Sequence, residues 1–273
     1  MRKNYFLLAL LISFTVVSQD KKNNMLKFDT SGMKTAILAH KSPAVDILNY
    51  NDNAINTYSF YQAYKAMAQG DLLKRLLPLE SIKEQTKQSY FTKVIPLAIL
   101  HSNFESIHDE ALQNNAISKD AEGYLIRTSP GSEIFKIGQI TIASPLRTST
   151  KGLQTTFNLA SSHVFNTTDQ GIESIVIDFN DSMGFRPISL NQNIVVDYRE
   201  PGRKTLNIEL TLDNGEIINR SAIIDVKYSN ADLYTLFNRV VTTFNSSAAP
   251  DLSDYNSEPN NVGTGEYEII LGA

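Results

Sequence analysis

The hydrophobic and polar positions of this chain follow two rhythms, and the change between them lies at Pro130-Gly131. In the first part the clearest period is helical. From Thr57 to Gln69, Phe60, Tyr61, Tyr64, Met67 and Ala68 recur at i, i+1, i+4, i+7 and i+8, which is one apolar face. Thr57 is placed to cap this helix and Gly70 to stop it. An aromatic stripe at helical spacing is assigned to a core rather than to a ligand groove. Leu79–Gln88 predicts a second helix with Glu80, Lys83, Glu84 and Lys87 on its wet side. Thr35–Ala39, ahead of Pro43, predicts a short strand. Lys93–Leu100 predicts a buried strand, with Pro96 at an edge or a bulge. Asp109–Asn114 reads as a helical turn and Gly123–Thr128 as another strand.

From Glu133 to Tyr228 the pattern is almost entirely short β runs: Ile134–Ile142, Leu153–Leu159, Ser174–Phe179, Asn193–Tyr198, Thr205–Leu212 and Ser221–Val226. Leu206, Ile208 and Leu210 alternate with Asn207, Glu209 and Thr211, giving one buried and one wet face. Asn214-Gly215 predicts a two-residue hairpin turn. So many short strands at close spacing predict a β-sandwich of immunoglobulin type. Leu233–Phe244 fits either a strand or a helix, Ser246–Gly265 is loop-like, and Glu266–Leu271 begins a further strand. The expected fold is therefore an α+β region over residues 19–132, an all-β sandwich over 133–228, and a loop-rich tail over 229–273.

The first 18 residues stand apart. Arg2 and Lys3 precede the apolar run Tyr5–Val17, and Ser18 offers a small residue before Gln19. These are the three parts of a secretory signal peptide. The run is well short of the roughly 20 residues a spanning helix needs. Cleavage near Ser18/Gln19 is expected, leaving a soluble exported chain with no membrane span. With no cysteine in the chain, the exported protein cannot rely on disulfides. Its 42% hydrophobic residues must instead build a packed core. The formal net charge of −4 falls to about −6 without Arg2 and Lys3. That charge, without clustered Lys and Arg, excludes a nucleic-acid surface. The profile suits a Gram-negative exported protein.

No catalytic, cofactor-binding or metal residue is assigned. His101, Glu105 and His108 recur at i, i+4 and i+7, and on a helix they would share a face able to hold a metal. The preceding run Val94–Leu100 reads as strand, Ser102-Asn103 suggests a turn, and a lone Glu-x-x-His lacks the second copy of a di-iron bundle. Asp178, Asn180 and Asp181 offer oxygens for calcium, but Met183 stands where an EF-hand loop needs glycine. They read as a turn whose side chains satisfy their own backbone. Ser31 and Lys34 match Ser-x-x-Lys without its companion motifs. The chain has no Gly-x-Ser-x-Gly, no phosphate loop and no His-Glu-x-x-His.

Two stretches carry a resemblance. Ile175–Gly184 is a strand running into an Asp/Gly turn, and Tyr198-Arg199-Glu200-Pro201-Gly202 leads into the period-two strand. Over residues 135–226 this resembles the PKD (polycystic kidney disease) domain, an immunoglobulin-like sandwich of bacterial extracellular proteins. Asn180 replaces a glycine of that pattern, and Ser182-Met183 is inserted before Gly184. Asp181-Ser182-Met183 also resembles an O-glycosylation acceptor of Bacteroidetes-type secreted proteins. With Tyr58–Tyr64, Val94-Ile95-Pro96-Leu97, the Phe179 and Pro201-Gly202 turns and Gly263–Ile270, the whole chain resembles the N-terminal part of large secreted Bacteroidetes-type proteins that often continue into an α/β-hydrolase (lipase-like) domain. The first resemblance implies a non-catalytic interaction module with a polysaccharide or protein partner. The second implies, as the alternative, the front of a secreted serine hydrolase whose catalytic residues lie beyond Ala273.

Overall fold

The computed structural model describes residues 35–38, 54–71, 73–107, 109–122, 124–129 and 133–237. The leader, Ser31 with Lys34, His108 and the 266–271 run lie outside the described residues. In chain order the elements are β1 (Ala36–Leu38), α1 (Thr57–Gly70), α2 (Leu79–Thr92), β2 (Val94–Ile107), α3 (Asp109–Gln113), β3 (Ile117–Lys119), β4 (Leu125–Arg127), β5 (Phe135–Pro145), β6 (Ser149–Lys151), β7 (Gln154–Asn158), β8 (Val164–Asn166), β9 (Ile172–Asp178), β10 (Phe185–Pro187), β11 (Asn193–Asp197), β12 (Gly202–Leu212) and β13 (Ile217–Lys227). Residues 230–237 are helical. The fold is mixed α+β and dominated by sheet.

β2 organises the molecule. Residues 95–102 are buried without interruption, the pattern of a strand covered on both faces. Its period of two divides them. Ile95, Leu97 and Ile99 enter one core, and Ala98, Leu100 and Phe104 enter another. One edge of β2 pairs antiparallel with β5 from Leu97↔Pro145 to Ile107↔Phe135. The other edge is shared, in parallel, by β7 at residues 94–96, β8 at 99–101 and β1 at 104–106. β11 extends this sheet beyond β7. A second sheet has the order β10-β9-β12-β13-β6. The first core lies between the two sheets, where Phe157 and Phe179 meet with ring centres 4.9 Å apart. Strands from either side of residues 132/133 thus share one sheet and one core.

The second core lies between the first sheet and the helices. The aromatic stripe of α1 is there: Phe60, Tyr64 and Met67 are all fully buried against Leu100, Ile140, Ile142 and Phe165. The Tyr64 hydroxyl donates to the Leu77 carbonyl at 3.0 Å, so its burial leaves no orphan. A third, smaller cluster joins Ile107 and Ala111 to the β3–β4 hairpin.

Several local expectations change. Asn56, not Thr57, caps α1; its side chain accepts the Ser59 N–H at 2.8 Å. Thr57 is inside the helix, buried, donating its hydroxyl to the Pro145 carbonyl at 2.9 Å. α2 continues to Thr92 and stops where Lys93 turns left-handed, φ 58°. β2 runs on through Ser102-Asn103, because β5 pairs with it as far as Ile107 and holds polar residues extended. Pro96 sits neither at an edge nor in a bulge but in this doubly flanked strand, at the end of the β2–β5 ladder. Leu146 N–H donates to the Pro96 carbonyl at 2.8 Å. The reciprocal donor that proline lacks is replaced by the Tyr61 hydroxyl, which reaches the Leu146 carbonyl at 3.3 Å.

The β12–β13 hairpin is closed by three residues rather than two. Gly215 N–H donates to the Leu212 carbonyl and Leu212 N–H to the Glu216 carbonyl, both at 2.9 Å. Gly215 is left-handed at φ 82° while Asn214 is not. A two-residue type I′ turn needs positive φ at both central residues. Here a tight turn is followed by one left-handed glycine, which adds a residue to the loop and keeps the register Thr211↔Ile217.

Candidate functional site

An open concavity of about 170 Å³ lies where the start of α1 meets the outer face of the second sheet. Its position follows from one short pairing. Ile55 N–H donates to the Ser221 carbonyl at 2.9 Å, and Ile223 N–H returns to the Ile55 carbonyl at 2.8 Å. This pins the residue before the helix cap onto β13. Asn56 then caps the helix, and Tyr58 leaves the buried stripe and stands 68% exposed at the rim. Opposite it, Arg203 and Asp225 face each other in the β12–β13 register. Their ion pair is loose, 3.6 Å from Nε to Oδ1, with both side chains half exposed or more. Thr148, Ile223 and Ile224 complete the wall. The Thr148 carbonyl accepts the Asp225 N–H at 3.0 Å.

None of these residues was legible as a site. Asn56 ends the polar, turn-rich run 49–56 (NYNDNAIN), Tyr58 falls outside the apolar stripe, and Thr148, Arg203 and Asp225 come from three distant segments. Only the exposed tyrosine, off the helix's apolar face, was a usable local signal.

The residues considered earlier go elsewhere. The Asp178–Asp181 turn, just after β9, is occupied by its own contacts. Asp178 accepts the Asn180 N–H at 2.8 Å and Asp181 the Met183 N–H at 3.2 Å. The second oxygen of Asp181, on a side chain 2% exposed, is held by Arg186 at 2.7 Å. The Arg186 guanidinium lies 5.0 Å from the centre of the Phe179 ring. Asn180 and Ser182 take left-handed φ of 61° and 72° to close the turn. Beneath it the buried Tyr198 hydroxyl titrates well above its usual range, chiefly through desolvation and then through the Asp181 charge.

His101 and Glu105 are on β2, four strand positions apart. At about 3.3 Å per residue their Cα atoms are roughly 13 Å apart, too far to share one ion. Glu105 accepts from the Thr35 hydroxyl at 3.0 Å instead. Among the described residues no group of three or more His, Asp or Glu is placed to hold a metal. No helix of the described residues is long and apolar enough to cross a membrane. A void of about 10 Å³ between Leu97, Ile99, Leu206 and Ile208 is apolar and too small for a ligand.

Two histidines are buried for structural reasons. His101, fully buried, bonds through Nδ1 to the Thr141 hydroxyl at 2.8 Å. His163, 6% exposed, bonds through Nε2 to Gln85 at 2.8 Å. Desolvation is the largest influence on both and holds each below the ordinary value of 6.5. The unfolded chain therefore binds these protons more readily. Their contribution to stability is complete above 6.5 and is lost as pH falls below it. Urea midpoints should drop between about pH 7 and about pH 5. The drop should be smaller in His163→Gln, which keeps a polar partner for Gln85 without a titrating ring. A flat profile, or an unchanged drop in the variant, contradicts this.

No protein-family model matches the chain, and no curated protein matches it.

Proposed function

We propose that this is a secreted, non-catalytic interaction protein. In this reading residues 133–228 act as a PKD-like, immunoglobulin-type module that carries the helical front and binds a polysaccharide or a protein. The observation that carries it is the open groove, whose two walls come from α1 and from β12–β13. A ligand there touches the front and the β-rich part at once. Two features of the sheets support the finer fold. The Pro201-Gly202 turn leads directly into β12, whose alternate residues from Lys204 to Leu212 are buried. Phe179, immediately after β9, is fully buried between the sheets.

Export is part of the same proposal. The mature N-terminus measured on protein recovered from the culture medium or periplasm should fall near Gln19; an intact Met1 would argue against it. For the interaction itself, the exported chain should retain a defined polymer or protein in a screen of immobilised glycans and surface proteins. It should not turn over ester or glycoside substrates. Hydrolysis by the purified chain would replace this reading with an enzymatic one.

A further inference from the structure

The groove's lining discriminates among ligand chemistries, and we infer that it binds a neutral saccharide unit. This rests on the interaction reading above and deepens it by naming the ligand class. The first consideration is the aromatic ring. Phe60 and Tyr64 are fully buried, whereas Tyr58 on the same helix stands 68% exposed at the rim of a concavity. An exposed ring offers a flat apolar face with a polar edge, the complement of a pyranose with its C–H face and equatorial hydroxyls.

The polar groups set the charge and the hydrogen-bonding character. Arg203 and Asp225 cancel each other, so the lining attracts neither an anion nor a cation strongly. Their 3.6 Å pair is solvent-exposed, and such pairs contribute little to stability. Both can therefore turn toward a ligand at small cost. Together with the Thr148 hydroxyl and the Asn56 amide group, they present donors and acceptors side by side, as vicinal hydroxyls require. Asn56 Oδ1 is already engaged by Ser59 N–H, which leaves its NH₂ as the remaining donor.

Other ligand classes fit less well. A phosphate or carboxylate would face the Asp225 carboxylate. An apolar ligand would desolvate Arg203 and Asp225 without offering either a hydrogen bond in return. An extended peptide needs a row of free main-chain groups, but at this edge the Ile55 and Asp225 amides are already bonded to Ser221 and Thr148. The volume of about 170 Å³ is below the roughly 300–1,000 Å³ of pockets for drug-sized molecules and suits a single ring of a longer chain lying across the surface.

The test is calorimetric and NMR titration of the full exported chain with neutral hexasaccharides of glucose, mannose and xylose. At least one should bind and shift the Tyr58 ring and Ile223 methyl resonances. Tyr58→Ala should weaken binding by about tenfold or more, as truncation of an aromatic anchor does, while Tyr58→Phe stays within about twofold. Arg203→Ala should also weaken it. All three variants should keep the parent melting temperature, since these side chains are mostly exposed. Absence of binding up to about 10 mM, or a preference for anionic oligosaccharides, overturns the inference. Undiminished binding in Tyr58→Ala overturns the groove while leaving the interaction reading in place. Turnover of a glycan or ester would instead remove the interaction reading itself.

Discussion

Phe157→Ala should cost about 3–5 kcal/mol of unfolding free energy, the range for deleting a large buried aromatic. Phe157 is fully buried in β7, paired in register with Ile95 of β2 and Ile194 of β11. Its ring meets Phe179 from the opposite sheet at 4.9 Å between centres. Alanine removes that contact and leaves a cavity between two sheets whose backbones are held by ladders and cannot collapse to fill it. Thr156→Ala, on the outer face of the same strand, is the control and should change stability by less than about 0.5 kcal/mol. Chemical denaturation of both variants decides the matter. A loss below about 1 kcal/mol for Phe157→Ala would mean that the sheets do not share this core.

Asp181→Ala should cost about 2–3 kcal/mol, and calcium should not alter that figure. The carboxylate is almost fully buried, accepts the Met183 N–H and holds Arg186 at 2.7 Å. Its removal strands a guanidinium against the Phe179 ring and an amide in a left-handed turn. Arg186 keeps 27% side-chain exposure, so water relieves part of the stranded charge, and the expected loss falls below the roughly 3–5 kcal/mol of a fully buried broken pair. A bound cation would stabilise the native state by mass action. The unchanged protein should melt at the same temperature in excess calcium and in chelator. A calcium-dependent rise that vanishes in Asp181→Ala would reinstate the turn as a cation site.

What could be read from the residues alone was the local geometry. The stripe of α1 is a packing surface because Phe60, Tyr64 and Met67 lie on one face, and that face is set by spacing alone. The alternation of β12 is equally local, and the structure buries Leu206, Ile208 and Leu210 as the period requires. The misplacements have a common cause. Ser102 and Asn103 look like a turn, but β5 supplies the partners that keep them extended. Pro96 looks like an edge residue, but Tyr61 supplies the donor it lacks. Asn214-Gly215 looks like a two-residue turn until the register of two long strands demands a third residue. In each case a contact remote in sequence outweighs local preference. The groove is the extreme instance, since its walls meet only after Ile55 has docked on β13.

β2 also bears on how the fold is acquired. Its ladders join Val94 to Thr156 and His101 to Asn166, partners about 60 residues apart. Chain closure over such distances is slow, and folding should belong to the millisecond-to-second regime of non-local β topologies. During synthesis β2 emerges well before β5, β7 and β8. Until Asn166 has followed, it presents an unpaired edge, and Ile95, Leu97 and Ile99 face a partner sheet whose strands β9, β12 and β13 come later still. Such a segment invites pairing with other chains, so the interval before β8 arrives is the time when this protein most needs a chaperone.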